Sequence, residues 1–558
     1  MHSRMSSSDS TSRSFRINTS LIVAPVIIVG LSLIGYALLP RMKARLSIPL
    51  SLSFGTLATG WAMWIAGTLI STRAAFVVAA ALLLISLRAL PRWGRDCLRV
   101  LRELAALAKR PSALLVAIPL ALAVPQLLIP LVDSDGLRYH AAFPKLFRLT
   151  GKVFFYPWDL TGAFPQTAEM IYMLRPASAK LIHFCFFLAT LATLALLVHR
   201  RRRDRTAAVV APFLFAASPV VLMPAAAAFI DHIALFHVAV AMHLVLSRRS
   251  PSLPLAAAFA TKYTAAPALV LGVSRKAAAA AIAVVLAFAP FAIRNLKYTG
   301  DPIYPIGHVL LHKPITGIAP GALAYATQFH SRMKGFVAIP WVASSDAQSD
   351  EVAGLHHLLG LFALVIVLRE KRLRPVAALV FVYLVVAAVY RVPARYLLPM
   401  FFALSILEAA ALARLPQKLI ALAALLVCIP ALLGAAAVTL TFADPFLYLR
   451  GRLDREHYLA RVVPGYGAAQ VVNALPPGGT VMALDFPAPY YFDRPWIVEG
   501  ILHEPPLVQW LREGDALAKL RQYDVRVLVL TPAYRGLRPP APFRLVQTVD
   551  GVDVYSSR

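Results

Sequence analysis

The stretch Val132-Asp133-Ser134-Asp135-Gly136-Leu137-Arg138-Tyr139-His140 follows an apolar run that begins near Ser112. Two carboxylates therefore stand where a hydrophobic segment ends. A carboxylate at a membrane edge can take a proton from a hydroxyl or amine held beside it. An Asp-x-Asp pair can also serve as one arm of a divalent-cation site, and Asp and Ser equally favour the first position of a helix. Working outward, the loop continues through Phe143-Pro144-Lys145 and the aromatic group Phe154, Phe155, Tyr156 and Trp158 to Phe164-Pro165-Gln166-Thr167-Ala168-Glu169. Aromatic residues at that density suit a membrane–water interface.

On either side the chain is a succession of apolar runs of 17–25 residues, starting near Leu21, Leu46, Ala74, Ser112, Leu181, Ala207, Asp231, Lys276, Leu355, Pro375, Arg395 and Leu419. A bilayer core needs about 20 residues of helix. The sequence thus predicts an all-α polytopic membrane protein of about 12 transmembrane helices. Composition agrees. Of 558 residues, 59% are hydrophobic and only 15% charged, with mean hydropathy +0.68. An ordinary soluble domain is about a quarter charged. Water-soluble, disordered and fibrous classes are excluded.

The formal net charge is +29, and the basic residues sit in short clusters between apolar runs. That is the pattern of cytoplasmic loops, not of a nucleic-acid-binding surface, and it also favours anionic lipid or an anionic lipid-linked substrate. The segment 88–110 carries seven basic residues; 199–205, 248–249 and 369–374 are similar. Counting from these puts loops 133–175 and 294–353 on the extracytoplasmic side of the inner (plasma) membrane. The first run has basic residues on both flanks and leaves its own direction open.

One segment breaks the alternation. Residues 254–273 are apolar with Lys262 near the middle, yet both flanks are basic. A charge at mid-bilayer depth costs several kcal/mol without a partner. A re-entrant hairpin of two half-helices with Lys262 at its tip resolves both problems, because irregular backbone at that depth is tolerated where it lines protein or a polar cavity.

Further candidates come from charge at helix ends. Lys262 is a compact cation suited to phosphate, and Arg294, Arg391 and Arg395 could hold phosphate bidentately or anchor headgroups. Asp231 opens a span and suits a cationic partner. His308, His312 and His330 share a loop without a zinc-protease pattern. Ser218 and Ser274 have no triad partner nearby in sequence. Cys97, Cys185 and Cys428 are odd in number and scattered, which argues against disulfides and a Cys metal site. Overall no metal site is expected; a divalent cation stays possible, and the cofactor is unknown.

Four regions follow: a Ser- and Arg-rich tail expected to be disordered at 1–19, additional N-terminal helices and a cytoplasmic loop at 20–111, a transmembrane module at 112–440, and a domain at 441–558. The last holds nearly half of the acidic residues. Apolar stretches 479–484 and 525–531 flank an amphipathic 515–523, which predicts a small extracytoplasmic α/β domain.

From Asp135-Gly136-Leu137-Arg138-Tyr139-His140 onward the chain resembles bacterial membrane glycosyltransferases of the C-type (GT-C) fold, the superfamily of protein O-mannosyltransferases and the lipid A aminoarabinose transferase. The resemblance runs through Phe164-Pro165-Gln166, Thr261-Lys262-Tyr263-Thr264, Arg294-Asn295, Gly300-Asp301-Pro302-Ile303-Tyr304-Pro305, Arg395-Tyr396-Leu397-Leu398-Pro399, Glu456-His457-Tyr458-Leu459 and Tyr490-Tyr491-Phe492-Asp493-Arg494-Pro495, about 112–500 in all. It implies a polyprenyl-phosphate-linked sugar donor and an unknown envelope acceptor. It makes Asp135 the general base with Asp133 as its understudy. Lys262, Arg294 and Arg395 would bind the lipid phosphate, with Arg391, Tyr139, His140, Glu169 and Asp231 as further substrate-site residues. Three spans precede the usual first segment, and Arg138 stands inside the motif; the acceptor stays open. A flippase or transporter, a lipid-linked-glycan polymerase and a catalytically inactive scaffold are the competing readings.

Overall fold

Small residues set the first helix pair. Helices α1 (Ser20–Leu38) and α2 (Ala44–Leu69) cross at Gly35 and Gly55. A Cβ on Gly35 would lie 1.8 Å from the Ser51 carbonyl oxygen, and one on Gly55 1.8 Å from that of Leu31. Membrane helices, lacking a hydrophobic drive toward each other, associate through such backbone approach. Helices α3 (Thr72–Ser86), α4 (Leu90–Ala108) and α5 (Leu114–Leu128) follow. The computed structural model describes residues 19–40, 42–202, 204–273, 277–311, 354–367, 370–389, 394–500 and 503–557.

A helix begins within a few residues of each of the twelve apolar runs. The chain is a multi-pass membrane protein. By length and composition, eight helices among the described residues can cross a membrane, or nine if Arg205–Ala216 and Pro219–Ala225, bent by 78° at Ser218, form one broken span. The expected twelve exceeds this because apolar composition runs on through turns. Asp231–Leu246 has only 16 residues of helix, and the residues that follow Val367 lie outside the described ones.

The re-entrant hairpin is present. Ser252–Thr261 rises as α-helix, Lys262 breaks it with extended backbone (φ −155°, ψ 132°), and Tyr263–Gly272 returns as a 3-10 helix. A Cβ on Gly272 would lie 3.2 Å from Leu255 and 3.0 Å from Ala280, so the chain has come back to the level at which the hairpin began. Lys262 is thereby carried to the other end, beside Asp231.

That end also holds the loop after α5. Thr72 N donates to the Gly151 carbonyl at 2.9 Å, and Arg175 Nη2 donates to Thr19 Oγ1 at 2.5 Å. The start of α1 therefore lies on the loop side. At the opposite end, α4 lies beneath α1, with Tyr36 donating to Asp96 at 2.9 Å.

Residues 480–556 build a five-stranded sheet in the order β2-β1-β3-β5-β4: β1 (Thr480–Leu484), β2 (Trp496–Val498), β3 (Val525–Leu530), β4 (Arg544–Val549) and β5 (Val552–Ser556). β1 pairs in parallel with β2 and β3; β5 pairs antiparallel with β3 and β4. Helices Pro506–Glu513 and Ala516–Gln522 bridge β2 and β3, packing Leu507, Trp510 and Leu520 on Met482, Leu528 and Leu530. The two expected strands and the expected helix are there. The short β2 and the exposed β4 carried too little apolar pattern to be foreseen.

This domain grips the loop after α5. The Tyr156 hydroxyl donates to the Val498 carbonyl (2.8 Å) and accepts from Val498 N (2.7 Å). Lys145 binds Asp493 and the Tyr490 carbonyl, both at 2.8 Å, and Tyr491 donates to the Leu131 carbonyl at 2.6 Å.

Candidate active site

The loop leaves α5 at Ile129 and turns at once. Asp133 accepts from Gly136 N (2.9 Å) with one oxygen and from Ala228 N (3.1 Å) with the other. It ties the loop to the turn that precedes Asp231. Gly136 is needed for this: a Cβ there would sit 2.2 Å from Asp133 Oδ1. The next turn, Gly136–His140, is a single π-helical one, a distortion found often at functional sites. Asp135 leads into it. The Asp-x-Asp pair is thus split, one carboxylate on backbone amides and the other on an arginine.

That arginine is Arg395, whose Nη1 lies 2.8 Å from Asp135 Oδ2. Both side chains are about one-fifth exposed, and both face a cavity of 680 Å³ between this end of the bundle and the C-terminal domain. Pro487 and Ala488 from the domain line it, as do Arg138, Lys180 and Phe229. Arg395 stacks over the rings of Phe229 (4.9 Å) and Tyr396 (5.5 Å), which hold its guanidinium plane. Behind the pair, Lys262 Nζ lies 2.7 Å from Asp231 Oδ1 and 4.7 Å from the centre of the Tyr396 ring. Asp231, Arg395 and Tyr396 line one small recess. The structure therefore brings Asp135, Arg395, Asp231 and Lys262 together as one charge network around Tyr396.

Other expected residues stand further back. His140 Nδ1 is 2.8 Å from Glu169 Oε1, both buried, with the Tyr139 ring 4.0 Å from the imidazole. Arg294 is buried and its donors are committed: to the carbonyls of Ala163 (2.6 Å) and Phe164 (3.0 Å), to Gln166 Oε1 (3.0 Å) and to Asn295 Oδ1. It ties the end of the loop to the helix Ala277–Thr299. Arg391, His312, His330, Ser274 and most of loop 294–353 lie outside the described residues. His308 is paired with Asp301 at 3.0 Å.

Two features were missed from the sequence. Lys180 lines the cavity and caps α5, giving its three protons to the carbonyls of Gln126 (2.5 Å), Ile129 (2.8 Å) and Pro130 (3.3 Å). Ser218 has no triad partner nearby in sequence, but the fold supplies one from a distance. Ser218 Oγ lies 2.7 Å from His357 Nε2, and His357 Nδ1 lies 2.8 Å from Glu408 Oε1. A bend and two helices distant in sequence deliver these groups. With His356, the set also offers three candidate metal-ligand atoms within 4.8 Å of one another. All four side chains are buried, and none of them lines either large cavity.

Burial shifts titrations at the domain contact. Burial pushes the Glu499 carboxyl, at the end of β2, up to about 7. Its backbone carbonyl accepts from Arg138 at 3.1 Å.

No family model and no curated protein sequence matches this chain. Among solved structures, it is similar to ArnT from Cupriavidus metallidurans bound to undecaprenyl phosphate. The TM-score is 0.50 at 17% identity, over 80% of this chain and 97% of that one. The same protein in the apo state gives 0.49 at 16% identity, with the same coverage. The archaeal oligosaccharyltransferase AglB from Archaeoglobus fulgidus, in complex with an inhibitory peptide and a dolichol-phosphate, gives 0.39 at 12% identity over 75% of this chain and 69% of that one. The first likeness is one of fold: the chain shares the architecture of ArnT over four-fifths of its length, and its last residues build the small sheet domain.

Proposed function

We propose that this protein is a membrane glycosyltransferase. It moves a sugar from a polyprenyl-phosphate-linked donor to an envelope acceptor on the extracytoplasmic face, where the C-terminal domain roofs the site. The reading rests on the Asp135–Arg395 pair in the wall of a 680 Å³ cavity, within a fold whose solved example ArnT is bound to undecaprenyl phosphate.

The reaction needs a base, a leaving-group cradle and room. Asp135 takes the proton of the acceptor hydroxyl or amine. The freed oxygen or nitrogen attacks the anomeric carbon. The bond from that carbon to the phosphate oxygen breaks, and its electron pair leaves with the polyprenyl phosphate. Charge grows on that phosphate in the transition state, so cations held in place there lower the barrier. Arg395 is such a cation, fixed by two rings. Lys262 is the second, with Asp231 as its partner until a phosphate takes that place. Asp133 and Arg294 are positioning residues: the first sets the turn that aims Asp135, and the second fixes the far end of the loop. Tyr139, His140 and Glu169 form the wall behind the turn.

The test uses purified protein with a polyprenyl-monophosphate sugar, reading release of polyprenyl phosphate, alongside mass spectrometry of envelope lipids and glycans with and without the gene. Donor-dependent release and a missing glycoform are expected. A chain that turns over only diphosphate-linked glycans is instead a polymerase or ligase. One that moves the lipid between leaflets with no bond cleavage is a flippase.

A further inference from the structure

A second large cavity lies at the opposite end of the bundle, remote from Asp135. Arg88, Arg92, Arg95 and Arg99 recur at spacings of four, three and four residues, so they leave α4 and the turn before it along one stripe. The stripe faces the adjoining ends of α1 and α2 across a space of 740 Å³, with Tyr36 on the far wall. Four guanidinium groups there meet one lining carboxylate, Asp96. That carboxylate is already engaged, accepting from Tyr36 at 2.9 Å and from Arg99 at 2.8 Å. Among the described residues, Arg88, Arg92 and Arg95 have no acidic partner. Like charges gathered around one space repel each other until an anion enters. Arginine's planar fork matches phosphate in particular.

The same helix says what carries the phosphate. Val100 and Leu107 are buried in the bundle, whereas Leu90, Leu98 and Leu101 are 44%, 52% and 57% exposed on another face. A helix with one buried face, one arginine face and one open leucine face lies in a membrane surface, its leucines among acyl chains. A ligand that satisfies both open faces has a phosphate and a hydrocarbon part.

We propose that this cavity is a binding site for an anionic phospholipid of the leaflet opposite the C-terminal domain. The phosphate is held by Arg88, Arg92 and Arg95, and the acyl chains run along Leu90, Leu98 and Leu101. The proposal stands apart from glycosyl transfer, because the groups concerned are at the other end of the molecule.

The test is native mass spectrometry of the full chain, delipidated in detergent, with phosphatidylglycerol and phosphatidylcholine at equal concentration. We expect the anionic lipid to be retained about tenfold over the zwitterionic one, and the ratio to fall to near one in the Arg88→Gln/Arg92→Gln/Arg95→Gln variant. Glycerol phosphate at the lipid's concentration should leave the adduct in place. Three outcomes overturn the proposal: no preference in the unaltered protein, which needs no variant to be read; an unchanged preference in a variant that elutes as the unaltered protein does; or displacement by glycerol phosphate, which makes the cavity a site for a soluble anion.

Discussion

Two polar clusters inside this molecule invite comparison. Ser218, His357 and Glu408 stand at the distances of a hydrolytic triad, 2.7 and 2.8 Å, brought together from one bend and two helices. Asp135 and Arg395 are only an ion pair. Yet the triad-like set is sealed, with His357 and Glu408 each about 3% exposed, whereas the ion pair opens on a 680 Å³ cavity. Hydrogen-bond distance is therefore a poor guide to chemistry unless a reactant can arrive. In the sealed set the bonds satisfy polar groups that would otherwise be stranded in an apolar bundle, at the 78° bend where Ser218 precedes a new helix. The sealed set holds the bend, and the open pair is where the proposed transfer would take place.

The sharpest way to break this contrast is Asp135→Asn. It should lower transfer at least about 100-fold, measured as polyprenyl phosphate released per folded molecule, with membrane abundance unchanged. Full activity in that variant would reject the base. Next comes the cationic side. Lys262→Ala, made together with Asp231→Asn so that no lone carboxylate is left buried, should raise the KM for the lipid-linked donor roughly tenfold, as expected for one lost charged hydrogen bond. The acceptor KM should hold; equal changes in both would remove Lys262 from the phosphate cradle. In the sealed cluster, Ser218→Ala should cost about 1–3 kcal/mol of stability through the unsatisfied His357 and leave kcat/KM alone. A loss of rate at unaltered stability would make the two clusters alike.

The smallest effect concerns pH. Glu499 is raised by burial to about 7 from an ordinary value of 4.5. Between those values the folded chain holds a proton that the unfolded chain has released. Stability should therefore fall as pH rises from about 4.5 to about 7 and level off above. Thermal midpoints of the purified chain should follow that slope, and Glu499→Gln should flatten it.

Much of the architecture was legible in the residues. Apolar runs marked where the long helices begin, because a bilayer forces one composition on anything that crosses it, although among the described residues only eight or nine helices are long enough to cross. The basic residues on both sides of 254–273 revealed the hairpin, since charge clusters constrain which end of the bundle a segment reaches. Asp135 and Lys262 stood out for the same reason: an ionised group at a membrane edge or within an apolar run needs a purpose. What could not be read were the pairings. Nothing near Ser218 points to His357, 139 residues on. Nothing in Arg294-Asn295 tells that the guanidinium will close on the carbonyls of Ala163 and Phe164 and not on a ligand. The stripe of Arg88, Arg92, Arg95 and Arg99 could be seen by spacing, but the cavity facing it depends on α1 and α2 crossing at Gly35 and Gly55.

The double hydrogen bond between Tyr156 and Val498 has a consequence for how such proteins can change. The sheet domain and the loop it grips form a single lock-and-key unit over the cavity, with Lys145, Arg138 and Tyr491 cut to the same pattern. A chimaera that imports another C-terminal domain without its matching loop leaves the roof unlatched, so an exchange of this domain has to move both pieces in one step.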